Sequence, residues 1–287
     1  MISKLAQLAL TSSLIIFMVG SLSAMGLQLR IADALVPLRN LRFVLTTLLA
    51  SFAMGPALGY LVVLVVPMER PYAVGLLLLS MAPAAPFLPL VARKANGNLA
   101  ATAGLMLLAS VGTILVMPFG VPLVAPGLSA SLWSVARPLI LLVLLPLALG
   151  IAIKSVWPAR ADQIYLYVNG ITSIVTILFL VLVFILNFKS FIGSVGSHAL
   201  MAQLLYVPAL AFAAYLSTAG MPDSTRSVMS LGMCTRNIGA GVAIVGPHGD
   251  QRIMVMLVIA TLVTVLFSFA AAPWFARKCS CGTVPAA

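Results

Sequence analysis

An arginine stands at position 236 within GMCTRNIGAGVAIVGP (residues 232–247), a stretch otherwise dominated by apolar and small residues, with glycines at 232, 239, 241 and 246. Arginine stays protonated at physiological pH and presents a planar fork of N–H donors that fits carboxylate, sulfate or phosphate. Thr235 and Asn237 flank it with a hydroxyl and an amide. A second unusual stretch, MAPAAPFLPLVARKANGN (residues 81–98), has prolines at 83, 86 and 89. Each proline removes a backbone N–H, so a helix entering this stretch must break. Neither stretch supplies paired carboxylates, a metal-ligand cluster or a nucleophile with a base, so an intramembrane enzyme is the weakest function class.

What an arginine does at such a place depends on the solvent around it. The 287 residues are 62% hydrophobic and 7% charged, with mean hydropathy +1.18. That is too little polar side chain to wet a globule, and the solvent is lipid. Apolar runs long enough to span predict an all-α integral membrane protein with nine spans, at 5–26, 41–66, 71–92, 99–124, 138–156, 164–188, 199–218, 227–245 and 253–276. Polar or turn-forming runs separate them, among them RPY after Glu69, RKANGN from Arg93, APG from Ala125, WPARADQ from Trp157 and GPHGD from Gly246. The first span imitates a cleaved signal peptide through Lys4, an apolar core and SLSA before Met25, yet removing it would break a consistent set of spans.

The +11 net charge is a topology signal. With the N-terminus outside, the inner segments carry Arg30, Arg39, Arg42, Arg93, Lys94, Lys154, Arg160, Arg226, Arg277 and Lys278. The outer ones carry Lys4, Arg70, Arg137, Lys189 and Arg252. Ten against five favours an N-out, C-in protein of the plasma (inner) membrane, and nucleic acid is not needed to explain the charge. Cys234 falls inside a span, while Cys279 and Cys281 fall on a short cytoplasmic tail, 279–287, where a disulfide would not persist. No metal site and no cofactor is expected from so few ligands. His198 and His248 sit near span ends and read as interfacial.

Lipid changes the meaning of both unusual stretches. Backbone freed by the prolines must be buried in protein or line a cavity, and the eighth span has its own weak point at Gly232, Thr235, Arg236, Asn237, Gly239 and Gly241. Under this topology the third and eighth spans run in opposite directions, and one long closing span follows each. The chain then reads as one transporter domain, 1–287, of two inverted halves at 1–125 and 132–278. Interrupted helices at corresponding places in inverted halves point to a transporter site near the midplane.

At these residues the chain resembles the bile acid:sodium symporter family. The likeness lies in MGLQL (25–29) after the first span, the proline-rich break followed by NGN (96–98), and RNIGAGVAI (236–244). The resemblance implies inverted repeats forming a panel domain and a core domain, with two discontinuous helices crossing at the substrate and ion sites. Nine spans fit members that lack the first helix of a ten-helix plan.

The resemblance also shows where this chain departs. Counted without gaps from Pro83, the family's sodium-binding Ser-Asn pair falls on Leu88 and Pro89, and a later Ser and Thr pair on Thr102 and Met106. The family's Glu and Gln in the second crossing helix fall on Gly232 and Arg236, followed by the matching Asn237, and a further Gln falls near Ser51. Ser51, Thr102, Asn237 and Met233 are the positions left to hold an ion. Sodium needs several oxygen ligands and is repelled by a nearby guanidinium, so the residues argue against the usual two-sodium mechanism.

An arginine at the bilayer centre costs about 2.5–3.5 kcal/mol even on the insertion scale, and marks function by default. Arg236 is expected to supply a permanent positive charge where the family places an ion, favouring a small organic anion among Arg236, Asn237, Thr235, Pro86, Phe87 and Thr102. The alternative is that Arg236 caps carbonyls exposed at the first break and never meets substrate. A secondary organic-anion transporter is the first function class, and an uncoupled or proton-coupled, channel-like carrier the second.

Overall fold

The computed structural model describes residues 2–126, 131–193, 196–245 and 250–281. Gly127 of the APG break, the GPHG turn with His248, and tail residues 282–287 lie outside the described residues. Among the described residues, regular structure is helical apart from one isolated β-bridge. The helices are α1 (Ile2–Gly26), α2 (Ile31–Arg39), α3 (Leu41–Leu49), α4 (Gly55–Val65), α5 (Arg70–Ser80), α6 (Leu88–Lys94) and α7 (Leu99–Val124). They continue as α8 (Leu132–Leu139), α9 (Leu145–Val156), α10 (Pro158–Gly193), α11 (Ala199–Ser217), α12 (Asp223–Cys234), α13 (Ile238–Val245) and α14 (Gln251–Cys281).

Six of the described segments are long and apolar enough to cross a membrane: Leu8–Gly26, Leu41–Val65, Leu99–Val124, Leu132–Val156, Ala199–Ser217 and Gln251–Cys279. Leu64, Phe119, Leu123, Phe212 and Leu266 stand exposed along them, as suits side chains facing lipid. The chain is a multi-pass membrane protein. Both stretches expected to break do so: the span expected at 71–92 is divided between α5 and α6, and the one expected at 227–245 between α12 and α13.

Proline placement explains the local irregularities. Two π-helical turns, Ala50–Met54 and Ile140–Leu144, join α3 to α4 and α8 to α9. Each lies just before a proline, Pro56 or Pro146, whose ring cannot accept the ordinary helical register against the carbonyl four residues back. The fifth segment starts at Leu132 rather than 138, because the Ser131 side chain accepts from Ser134 N at 3.1 Å and caps the extra turn. α10 starts at Pro158, a residue suited to the first helical position, where the apolar pattern alone places the start at 164. α2 has no counterpart among the expected spans, being short and carrying Arg39 in its last turn. NGN acts as a corner: Asn96 adopts a left-handed φ of 52°, and the Asn98 side chain accepts from Ala101 N at 2.9 Å to cap α7.

Two groups of helices emerge from the packing. α1 packs chiefly on α9 and α10. Gly26 and Gly150 make the first of these contacts possible, since a Cβ on Gly26 would meet Leu147 O at 2.4 Å and the Gly150 Cα at 2.9 Å. In the other group α11 packs on α12 and α14, and α14 on α5. At one end Arg252 Nη1 lies 2.6 Å from Glu69 Oε2, tying the start of α14 to the start of α5. Hydrogen bonds from Arg252 hold the Asp250 carboxyl below the usual range.

Candidate functional site

The two breaks meet. Pro83 and Arg236 form an antiparallel bridge, with Ala84 N donating to Gly232 O at 3.2 Å and Asn237 N to Ala82 O at 2.8 Å. Backbone groups freed by the interruptions in one segment are thus satisfied by the other, as a protein interior in lipid requires. Ala84 takes a positive φ of 60° to make the turn, a conformation that costs an alanine about 1–3 kcal/mol and persists only where its surroundings impose it. Thr235 ties the crossing further: its hydroxyl donates to Gly232 O at 3.1 Å and accepts from Ala85 N at 3.4 Å.

Arg236 is 2% exposed. Its Nη1 donates to Ser80 O at 3.1 Å, placing the guanidinium at the C-terminal end of α5, where the helix dipole favours a cation. The ring of Tyr206 on α11 backs it, with the guanidinium carbon 5.5 Å from the ring centre. Tyr206 is itself anchored by donating to Gly55 O at 3.2 Å. Gly55 leaves room for the group: a Cβ there would lie 2.9 Å from Arg236 Nη2 and 3.0 Å from Ser80 O. Arg236 Nε and Nη2 are buried and make no hydrogen bond among the described residues. Buried donors are normally paired, so two vacant ones on a buried cation are a conspicuous exception.

Asn237 is buried beside Arg236 and caps α13, its Oδ1 accepting from Ala240 N at 3.4 Å. Pro86 and Phe87 are buried in the first break, Phe87 directly before α6. Thr102 is fully buried on α7 and its hydroxyl donates to Asn98 O at 2.9 Å. Ser51 donates to Met233 Sδ at 3.4 Å. Gly232 faces no free space: a Cβ there would meet Leu105 Cδ1 at 2.7 Å and Leu88 Cδ2 at 3.2 Å. Leucine side chains fill the ground around Gly232.

Sequence reasoning missed three contributors. Ser80 acts through its carbonyl, which every residue possesses, and Tyr206 resembles any aromatic on a membrane helix. Arg93 was assigned to a loop, yet it closes α6 and reaches α10, donating from Nη1 to Asn169 Oδ1 at 2.9 Å and Tyr165 Oη at 3.1 Å. The polar residues on α10 at 165, 169, 172, 173 and 176 share one helical face, a signal open to detection in the sequence.

A search of curated proteins finds no match. A model of the sodium bile acid symporter family matches residues 13–194, which include the proline-rich break and end before the Arg236 break. A membrane protein of this helical build, matched over more than half its length, belongs to the sodium bile acid symporter family, a family of membrane transporters.

Proposed function

We propose that this chain is a secondary transporter of a small organic anion, working by alternating access around the crossed breaks with Arg236 in place of a coupling sodium ion. The observation that carries this reading is the pair of vacant, buried donors on Arg236, Nε and Nη2. A guanidinium with one N–H fixed on Ser80 O still offers two others to a carboxylate or sulfonate. Capping and anion binding are therefore compatible roles for one side chain. The N-terminus of α13 adds positive dipole to the same place.

In this proposal the chain makes nine passes in two inverted repeats, N-terminus outside and C-terminus cytoplasmic. α1, α8, α9 and α10 form a panel, and the remaining spanning helices form a core. Sodium does not suit the crossing. Leu88, Pro89, Met106 and Gly232 offer no side-chain oxygen where the family resemblance places ligands, and the Arg236 charge repels a cation. Coupling to protons, or none, replaces it.

A thermal-shift screen of the purified protein against organic anions, cholate and 2-oxo acids among them, with and without sodium, tests the reading. An anion that binds the folded state raises the melting temperature by mass action. We expect such a shift without sodium, and its loss in Arg236→Gln. A shift that requires sodium would overturn the proposal.

A further inference from the structure

α10 is apolar over most of its length, yet Tyr165, Asn169, Thr172, Ser173 and Thr176 recur at intervals that place them on one face. On a helix otherwise suited to lipid, such a stripe belongs against protein or a polar solute. Asn169, Thr172, Ser173 and Thr176 form one wall of a crevice whose other walls are Ser21 and Ala24 of α1 and Pro89, Leu90 and Arg93 of α6. α6 packs on α12 and α14, so the crevice lies between the two packing groups. Its free volume is about 10 Å³, room for a single water, so an anion enters only when its walls part.

Arg93 reaches into this crevice. Nη1 is shared between Asn169 Oδ1 and Tyr165 Oη, and the guanidinium carbon stands 5.2 Å from the centre of the Tyr165 ring. Nε and Nη2 are buried without a hydrogen-bond partner among the described residues. None of the ion pairs among the described residues includes Arg93. A cation in the last turn of α6 is favoured by the helix dipole, but that alone would be met by a head group left in water. It does not account for two buried donors without partners beside a crevice lined by Asn169, Thr172, Ser173 and Thr176. Leu88, where α6 leaves the crossing, is five residues away, roughly 7.5 Å of helix rise.

We infer that Arg93 is a second anion-binding station, which takes the carboxylate or sulfonate head of the transported molecule as it passes between the crossing and the Arg93 end of α6. The inference rests on the organic-anion reading above. Nε and Nη2 receive the anion, Nη1 stays on Asn169, and the hydroxyls of Ser173 and Thr176 solvate the head group once α10 and α6 part. Arg236 and Arg93 then stand in series along one route.

The test uses full-length protein in proteoliposomes, with Cys234, Cys279 and Cys281 replaced by alanine and Thr176→Cys placed in the crevice. Its reaction is followed with 2-sulfonatoethyl methanethiosulfonate and with the trimethylammonioethyl analogue. The sulfonate reagent is expected to react faster by on the order of tenfold, the low end for electrostatic focusing into a charged cleft. Unreactive ethanesulfonate should slow it. Arg93→Gln should abolish both effects, and Arg93→Lys should retain the preference. Failure of both reagents to label, equal rates, or no competition by ethanesulfonate would each overturn the inference, and these three outcomes need no Arg93 variant to fold. In an Arg236→Gln background the preference should persist. Its persistence where no anion raises the melting temperature of the parent protein would separate failure of the Arg236 reading from failure of this one.

Discussion

Arg236 Nη1 lies 3.1 Å from the carbonyl oxygen of Ser80, 156 residues earlier in the chain. The charge from the second break thus rests on the end of the helix that leads into the first, where a backbone carbonyl would otherwise lack a donor. Tyr206 and Gly55 hold that geometry from a third and a fourth segment.

Substitution at 236 should separate charge from shape. Arg236→Lys keeps a cation able to reach Ser80 O but cannot also present a planar pair of donors, so it should remain folded and bind anions more weakly. Arg236→Gln should lose about 1.5–3 kcal/mol of anion affinity, the range for a hydrogen bond to a charged group. Titrated thermal shifts measure both quantities. Full retention of affinity in Arg236→Gln would remove substrate binding from this residue.

Gly55→Ala should act on the site without touching a polar group. Its Cβ would crowd Arg236 Nη2 at 2.9 Å and Ser80 O at 3.0 Å. We expect about 1–3 kcal/mol of destabilisation, as for overpacking, together with weaker anion binding. Gly170→Ala is the control: nothing lies within 4 Å of its Cβ, and inside a helix the change should stabilise by roughly 0.5–1 kcal/mol. Denaturant or thermal melts of the two variants should move in opposite directions.

Reinstating the family's acidic residue should fail for want of space. A side chain at 232 begins 2.7 Å from Leu105 Cδ1, so Gly232→Glu should lower expression and melting temperature, and Gly232→Glu with Arg236→Gln should show no sodium response. A melting temperature that rises with sodium chloride but not with choline chloride in the double variant would show that an ion site can be rebuilt there.

Transport itself should be indifferent to sodium. Once the thermal-shift screen supplies an anion, its uptake into vesicles should change little when choline replaces sodium at constant osmolarity. A steep sodium dependence with a Hill slope near two would refute the proposed replacement of the ion by Arg236.

Orientation has a direct chemical test. Cys234 is buried and Cys279 is partly accessible beside Ser227. An impermeant thiol reagent should miss Cys279 and Cys281 in intact cells and label them after permeabilisation. Labelling of intact cells would place the C-terminus outside.

Much of this was legible in the sequence because lipid leaves few solutions. Pro83, Pro86 and Pro89 announce a break, and the cluster from Gly232 to Asn237 announces another, since a membrane helix has no water to satisfy freed backbone. The pairing of the breaks was only implied by resemblance, because its hydrogen bonds run between backbone atoms that carry no residue signature. Ser80 and Tyr206 escaped notice for that reason and because an aromatic on a spanning helix has many uses. Arg93 was misread as a loop cation, since the charged run RK at the end of an apolar segment ordinarily marks the interface. The stripe on α10 that faces it spans several turns and emerges only when the helix is viewed by face.

The bridge between Pro83 and Arg236 also bears on biogenesis. Ala82 O and Ala85 N find their partners in Asn237 and Thr235, residues made some 150 positions later. While the ribosome is still adding the intervening segments, the first break has no such partner, and its polar backbone would be left against lipid. The nascent protein must therefore hold this region near water or a chaperoning surface until the second break arrives. A chain that ends short of residue 235 lacks the residues that close the first break.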